Sequence, residues 1–292
     1  MTSNLPTLLR NHLPLIDGGY GWLLQERRLE PGIPAEQWNL TNPAGIALLH
    51  EEYAAAGATI LTTNTFGATA PRLAGYDLAD QAEEIAERGA AIAREVADRH
   101  GILVAGNIGP TGELLEPLGA LSRDEAVEVF ATQIRAMVRG GIDLVLIETM
   151  SDLEEASAAI EATRREAPGL PIVATMSFDT NLRTMMGVTP AAAVAALAAA
   201  GADAVGANCG RGPEDMIQIA ASLVGARPEG LLLVAQSNAG LPQVSGDGFA
   251  YTVDAAGMAE HGVALREAGI DIVGACCGSS PDHIKAMANA LR

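Results

Sequence analysis

Short apolar runs alternate with longer segments of helical periodicity along almost the whole chain. The runs are Leu13–Asp17, Thr59–Thr63, Ile102–Gly106, Asp143–Glu148, Ile172–Ser177, Ala204–Cys209, Leu231–Gln236 and Asp271–Cys276. Each is short, apolar and followed by a polar loop, which predicts a buried strand. Ala/Leu/Glu-rich stretches near Pro43–Ala56, Leu78–Arg99, Arg123–Arg139, Leu153–Glu166, Pro190–Ala200, Pro213–Leu223 and Val253–Ala268 predict the intervening helices. A last helix is expected after Pro281, with Ser280 as its N-cap.

A half-repeat marks the helix-to-strand joints. Ala56-Gly57-Ala58-Thr59, Gly140-Gly141-Ile142-Asp143, Ala200-Gly201-Ala202-Asp203 and Ala268-Gly269-Ile270-Asp271 each read as a helix ended by glycine, then a turn, then a strand. Eight strands alternating with eight helices predict an α/β fold, a closed (β/α)8 TIM barrel, as one domain over residues 1–292. The other arrangement of such a rhythm is an open doubly wound sheet. Asp17-Gly18-Gly19-Tyr20-Gly21 is not the GxGxxG turn such a sheet uses for dinucleotides. The stretch from Gly19 to Asn42 is a long loop in this reading, placed to act as a lid.

Composition narrows the function. Half the residues are hydrophobic (49%) and only 18% are charged, enough apolar material for a large core. The formal net charge of −18 argues against a nucleic-acid partner, because phosphates would be repelled. The N-terminus has no signal-peptide pattern, and the small-residue run Ala191 to Ala207 is interrupted by Gly201 and Asp203, so no membrane span is expected. An odd count of 3 cysteines does not make a disulfide framework and points to a reducing, cytoplasmic setting. The one lysine, Lys285, falls in the final helix, which excludes a Schiff-base lysine on a strand. None of His12, His50, His100, His261 and His283 ends a predicted strand, so a histidine-rich metal site is not expected.

The cysteines do end strands. Cys209 closes the sixth run; Cys276 and Cys277 close the eighth. In a barrel these ends share one face, separated by a single strand, and three thiols there suggest one Zn²⁺ with an open fourth position. Zinc with three thiolates carries a net negative charge and activates water poorly. It suits capture and ionisation of a fourth thiol, whose natural reaction is attack on an electrophilic methyl group. Asp17 and Glu148 end the first and fourth runs, so both carboxylates point to the same mouth and could hold an ammonium group. The loops Thr62-Thr63-Asn64-Thr65-Phe66, Asn107 to Gly112 and Ser237 to Pro242 are shaped for hydrogen-bonding a small ligand, although such loops are more often ordinary turns. Met185-Met186 reads as core filling rather than a contact for a methyl donor.

These motifs resemble the homocysteine S-methyltransferase family, including betaine–homocysteine methyltransferase and the homocysteine domain of cobalamin-dependent methionine synthase. The resemblance is carried by Asp17-Gly18-Gly19, Thr63-Asn64-Thr65-Phe66, Gly109-Pro110-Thr111-Gly112, Glu148-Thr149-Met150, Asn208-Cys209, Asn238-Ala239-Gly240-Leu241-Pro242 and Cys276-Cys277-Gly278. It implies zinc held by Cys209, Cys276 and Cys277, homocysteine bound through sulfur, and Asp17 and Glu148 near its amino group. Ser177 and Asn208 are the implied contributors at its carboxylate. The family's Gly-Gly-Cys-Cys-Gly stands here as Gly274-Ala275-Cys276-Cys277-Gly278. The expected product is methionine, and the expected donor is a small sulfonium or ammonium compound. The alternative donor is methylcobalamin on a separate corrinoid protein, since the chain ends soon after its eighth strand with no folate or cobalamin domain. A zinc- or thiol-binding module without turnover is the third reading.

Overall fold

The computed structural model describes residues 5–10, 12–245 and 248–292. Strands β1 (Ile60–Thr62), β2 (Leu103–Ile108), β3 (Leu144–Met150), β4 (Ile172–Met176), β5 (Ala204–Cys209) and β6 (Leu232–Ser237) follow one another, and β9 (Ile272–Ala275) completes one parallel sheet in the order β1-β2-β3-β4-β5-β6-β9. Seven of the eight predicted runs are therefore strands of a single curled α/β sheet. Between β6 and β9, β7 (Pro242–Ser245) and β8 (Gly248–Tyr251) pair antiparallel, a hairpin that the sequence reading does not contain.

The first predicted run, Leu13–Asp17, is reduced to two parallel bridges, Leu15 to Val273 on β9 and Ile16 to Ile60 on β1. It still hydrogen-bonds to both edge strands: Ile16 N–H donates to Val273 and Asp17 N–H to Ile60. Its ladder is short for two reasons. Pro14 has no N–H to give, and at the other end the Asp17 side chain, not a backbone carbonyl, accepts the Thr62 N–H at 2.8 Å.

Helices Pro43–Ala56, Ala82–His100, Arg123–Gly140, Leu153–Glu166, Pro190–Ala200, Pro213–Gly225, Ala255–Ala268 and Pro281–Leu291 follow the strands. Each packs on the next, and the last returns to Pro43–Ala56. Gly57, Gly141, Gly201 and Gly269 all adopt left-handed conformations at the helix ends, as the half-repeat predicts. Side chains alternate in and out along the strands. Ile16, Ile60, Leu103, Leu144, Leu146, Val173, Val234 and Ile272 form one buried cluster with Leu5 and Leu9 of the short helix Leu5–Leu9. Leu61, Val104, Val145, Ile172, Val205, Leu233 and Val273 belong to the larger cluster shared with the helices. Among the described residues no helix is long and apolar enough to cross a membrane.

The stretch from Gly19 to Asn42 is folded. It contains the helices Gly21–Glu26 and Trp38–Thr41 and the 3-10 turn Ala35–Gln37. Asn64 Nδ2 donates to the Ala35 carbonyl and the Gly67 N–H donates to Glu36 Oε1, which ties the turn to the loop after β1.

Candidate metal centre and its cavity

At the C-terminal ends of the strands lies a cavity of about 360 Å³, lined among others by Asp17, Tyr20, Thr62, Asn64, Phe66, Asn107, Glu148, Thr149, Gln236 and the three cysteines. The sulfurs of Cys209, Cys276 and Cys277 all lie within 4.8 Å of one another. All three are free thiols; Cys209 and Cys276 are half-buried, while Cys277 is exposed. A cluster of sulfur ligands able to hold a metal ion is thus present, built from the two strand ends that the sequence pairs.

The backbone that aims Cys209 is unusual. Cys209 (φ 60) and Thr149 (φ 62) both sit in the left-handed region, and for a β-branched threonine this stores on the order of 1–3 kcal/mol. Asn208 holds the strain in place. Its Oδ1 accepts from the Thr149 N–H and from Thr175 Oγ1, each at 2.7 Å, and its Nδ2 donates to Thr149 Oγ1 at 2.7 Å. The β3–β4 register slips at the same place, between Ile147 and Met150. On the other side, Asn238 joins the two cysteine loops: its Oδ1 accepts the Cys277 N–H at 3.0 Å and its Nδ2 donates to the Gly210 carbonyl at 2.7 Å.

Glycine is required where the Asp17 loop meets the cysteine turn. A side chain at Gly19 would come within 2.8 Å of the Cys276 carbonyl oxygen, and one at Gly278 within 2.1 Å of the Tyr251 ring. The contact is locked by Ser279, whose Oγ donates to the Cys276 carbonyl at 2.6 Å and accepts the Gly19 N–H at 3.0 Å. Ala275, the position that differs from the family's glycine, is buried and lines the cavity.

The charges of the cavity are out of balance. Asp17 is raised to about 7 by burial, against the opposing effect of hydrogen bonds from Tyr20 and Thr62. Glu148 is also raised to about 7, again chiefly by burial, with Asn107 and Gln236 donating to it in opposition. Neither makes an ion pair among the described residues. Two further acceptors in the wall, Asn107 Oδ1 and Gln236 Oε1, are buried without partners among those residues. A wall this rich in acceptors complements a cationic, hydrogen-donating group. Among the thiols, hydrogen bonds from Cys209 and Cys276 pull Cys277 down to about 3, while hydrogen bonding to its neighbours and burial push Cys276 up. The cluster therefore holds one sulfur charge readily, and further ionisation calls for a cation.

Asp17, Glu148, Cys209, Cys276 and Cys277 are thus brought together. Ser177 and Asn208 are buried and do not line the cavity: Ser177 Oγ donates to Asp179 Oδ2 at 2.8 Å, and Asn208, besides its bonds to Thr149 and Thr175, points Nδ2 from behind at Glu148 Oε2 and Cys209 Sγ, each at 3.5 Å. Met185 and Met186 are 80% and 40% exposed, so the expectation of core filling is corrected. They lie beyond the Thr180–Arg183 turn, ahead of the helix Pro190–Ala200. Tyr20, Gln236 and Thr149 are cavity residues that the sequence reading did not single out. Gln236 ends a predicted strand just as Glu148 does, and that position was a usable signal. A wider groove of about 600 Å³ on the helix side is bordered by Arg139, whose charge is already paired with Glu83 and Glu87, and it carries no thiol.

Comparison with known proteins places this architecture. The sequence profile described as Homocysteine S-methyltransferase matches residues 14–291. A "Methionine synthase" of Mycobacterium leprae is 33% identical over 291 residues, covering 94% of this chain and 24% of the relative. That of Mycobacterium tuberculosis is 33% identical over 263 residues, covering 87% and 22%. The chain thus spans about a quarter of the length of these curated relatives. In fold, it is similar to the homocysteine methyltransferase MmuM from Escherichia coli. The metallated form aligns with a TM-score of 0.81 at 23% identity over 98% of this chain and 99% of that one. The oxidized form gives 0.80 at 24% identity over the same shares.

Proposed function

This chain belongs to the homocysteine S-methyltransferase family, and we propose that it transfers a methyl group to the sulfur of homocysteine, giving methionine. The observation that carries the reading is one cavity with three thiols in its wall and two carboxylates that lack a cationic partner among the described residues. An amino acid with a thiol side chain answers both. The scaffold in this reading is a closed (β/α)8 barrel. The bridges of Leu15 and Ile16 to both sheet edges, and the return of the last helix to the first, support it.

Cys209, Cys276 and Cys277 are the proposed holders of Zn²⁺. The fit rests on the donor set: three sulfurs with no competing carboxylate among the closest groups form a soft site, and ionising the second and third thiols needs a cation beside them. When bound, zinc would keep a fourth thiol ionised and nucleophilic at neutral pH. The chain's own residues do the rest. Asp17 and Glu148, in their charged forms, receive the ammonium group. Asn208 and Thr149 hold Cys209 in its strained setting, and Ser177 braces Asp179 beside the next loop, so both predicted carboxylate contributors act from behind the wall. Phe66 and Ala275 supply apolar surface that excludes water from the reacting sulfur.

The donor we favour is a small methylated sulfonium or ammonium compound. A second reading makes this the acceptor half of a split system fed by a separate methylcobalamin protein. The higher identity to the mycobacterial methionine synthases than to MmuM supports it. In either case the setting we propose is the cytoplasm. A donor panel scored for methionine decides between them: purified protein with zinc and homocysteine is offered S-methylmethionine, S-adenosylmethionine, betaine and a methylcobalamin protein. Turnover with any small donor alone supports the first reading, and turnover only with the corrinoid supports the second. Zinc and homocysteine binding with no methionine from any donor would leave a non-catalytic binding module and sink the enzyme reading.

A further inference from the structure

Beside the cavity, a chain of hydrogen bonds runs from a buried histidine to Asp17. Tyr20 Oη donates to Asp17 Oδ2 at 2.7 Å and lies 2.8 Å from His50 Nδ1. His50 is fully buried on the helix Pro43–Ala56, and its Nε2 has no hydrogen-bonding partner among the described residues. A neutral imidazole carries one N–H. Placed on Nε2, that proton would be a buried, unpaired donor, so it belongs on Nδ1. His50 Nδ1–H then donates to Tyr20 Oη, and the single phenol proton is left for Asp17. The chain has one direction, toward the carboxylate.

Asp17 receives two more bonds, from the Thr62 N–H to Oδ2 and from Thr62 Oγ1 to Oδ1, both at 2.8 Å. Oδ2 is thereby filled by two donors, and Oδ1 by one. Each carboxylate oxygen offers two lone-pair sites, so one acceptor site remains, on Oδ1, in a side chain that lines the cavity. The Tyr20 ring is itself fixed, tilted against His50 and Tyr53 with centroids 5.4 and 5.7 Å away. Tyr53 Oη in turn donates to the Gly19 carbonyl at 2.8 Å.

We infer that Tyr20 and His50 are positioning residues for amine recognition: they orient Asp17 so that a single Oδ1 site is presented to the ammonium group of the ligand. The inference rests on the proposed binding of homocysteine in this cavity. It assigns the discrimination between an amino-acid thiol and a plain thiol to two residues that act through Asp17 and make no hydrogen bond to the three cysteines among the described residues.

The test is equilibrium binding of two thiols to the zinc-loaded protein: homocysteine, and 4-mercaptobutanoate, which keeps the thiol and carboxylate but lacks the amine. The wild type is expected to prefer homocysteine. Tyr20→Phe, which removes one oxygen and leaves the ring, should weaken homocysteine roughly ten- to a hundredfold and leave 4-mercaptobutanoate unchanged. His50→Leu should weaken homocysteine by about threefold, and His50→Asn, whose amide can donate where Nδ1–H did, should restore it. Equal weakening of both thiols, or an undiminished preference in Tyr20→Phe, overturns the role of Tyr20 and His50 while leaving the proposed function intact. A wild type without preference for homocysteine overturns the amine site and this inference together.

Discussion

The two ends of the sheet treat acidic residues in opposite ways. At the N-terminal end, Asp143, Asp203 and Asp271 each precede a strand and accept the N–H of a residue on the neighbouring strand: Val104, Ile172 and Leu233, all at 2.8 Å. Each also meets an arginine, in the pairs Arg94–Asp143 (2.7 Å), Arg164–Asp203 (2.9 Å) and Arg227–Asp271 (2.8 Å). At the C-terminal end, Asp17 and Glu148 are buried with no arginine beside them among the described residues, and both are raised to about 7. The first set is neutralised within the fold. The second has no such counter-charge among the described residues. The difference lies in the arginine and not in the strand contact, since Asp17 too accepts a neighbouring N–H, from Thr62 at 2.8 Å.

The sharpest way to break this comparison is to remove a sulfur. Cys209→Ser should abolish the binding of about one zinc per chain and lower methionine formation by on the order of a hundredfold or more. Metal analysis of the purified variant checks the first, and full zinc content there would refute the three-cysteine centre.

A paired substitution tests the two ends directly. Glu148→Gln should cut homocysteine affinity by on the order of a hundredfold, since a buried charge meeting an ammonium is lost. Its effect on stability has the opposite sign. A carboxyl whose folded pKa is raised, here from 4.5 to about 7, contributes stability that is fully present below pH 4.5 and lost as pH climbs through 7. At pH 8 the glutamine variant should therefore be the more stable by on the order of 2 kcal/mol, and the gap should close toward pH 4.5. Asp203→Asn at the other end should lose about 1 kcal/mol of stability and leave homocysteine affinity unchanged, because Arg164 remains partly solvated. Chemical denaturation at the two pH values, together with calorimetric binding, reads both. A glutamine variant that is less stable than the wild type at pH 8 would show that Glu148 is not held at a cost.

The smallest effect is expected at Asn238. Asn238→Ala removes the tie between the Cys277 N–H and the Gly210 carbonyl without removing a sulfur, and should weaken zinc by about tenfold. Competition with a chelator measures it; unchanged affinity would mean that the cysteine turns are rigid without that bridge.

Much of this was legible in the chain. The alternation of short apolar runs with helical segments marked the strands. Glycines at the helix ends marked the joints, and the thiols at two strand ends marked the sulfur cluster, because each signal is local and repeats with the period of its element. Asp17 and Glu148 were legible for the same reason, as polar residues at the ends of apolar runs. Tertiary structure alone decided the rest. Asn208 is one residue from Cys209 in sequence, yet its amide oxygen is spent on Thr149 and Thr175 of two other strands, and its nitrogen reaches Thr149, Glu148 and the Cys209 and Cys276 sulfurs from behind. His50 lies on the buried face of a helix, and no pattern along that helix reveals that Tyr20, 30 residues earlier, stands 2.8 Å away. Met185 and Met186 carry the composition of a core but stand exposed. Periodicity records which face of an element is buried. It does not record which side chains from distant elements meet there, and the charge state, strain and direction of the hydrogen bonds at the cavity all come from those meetings.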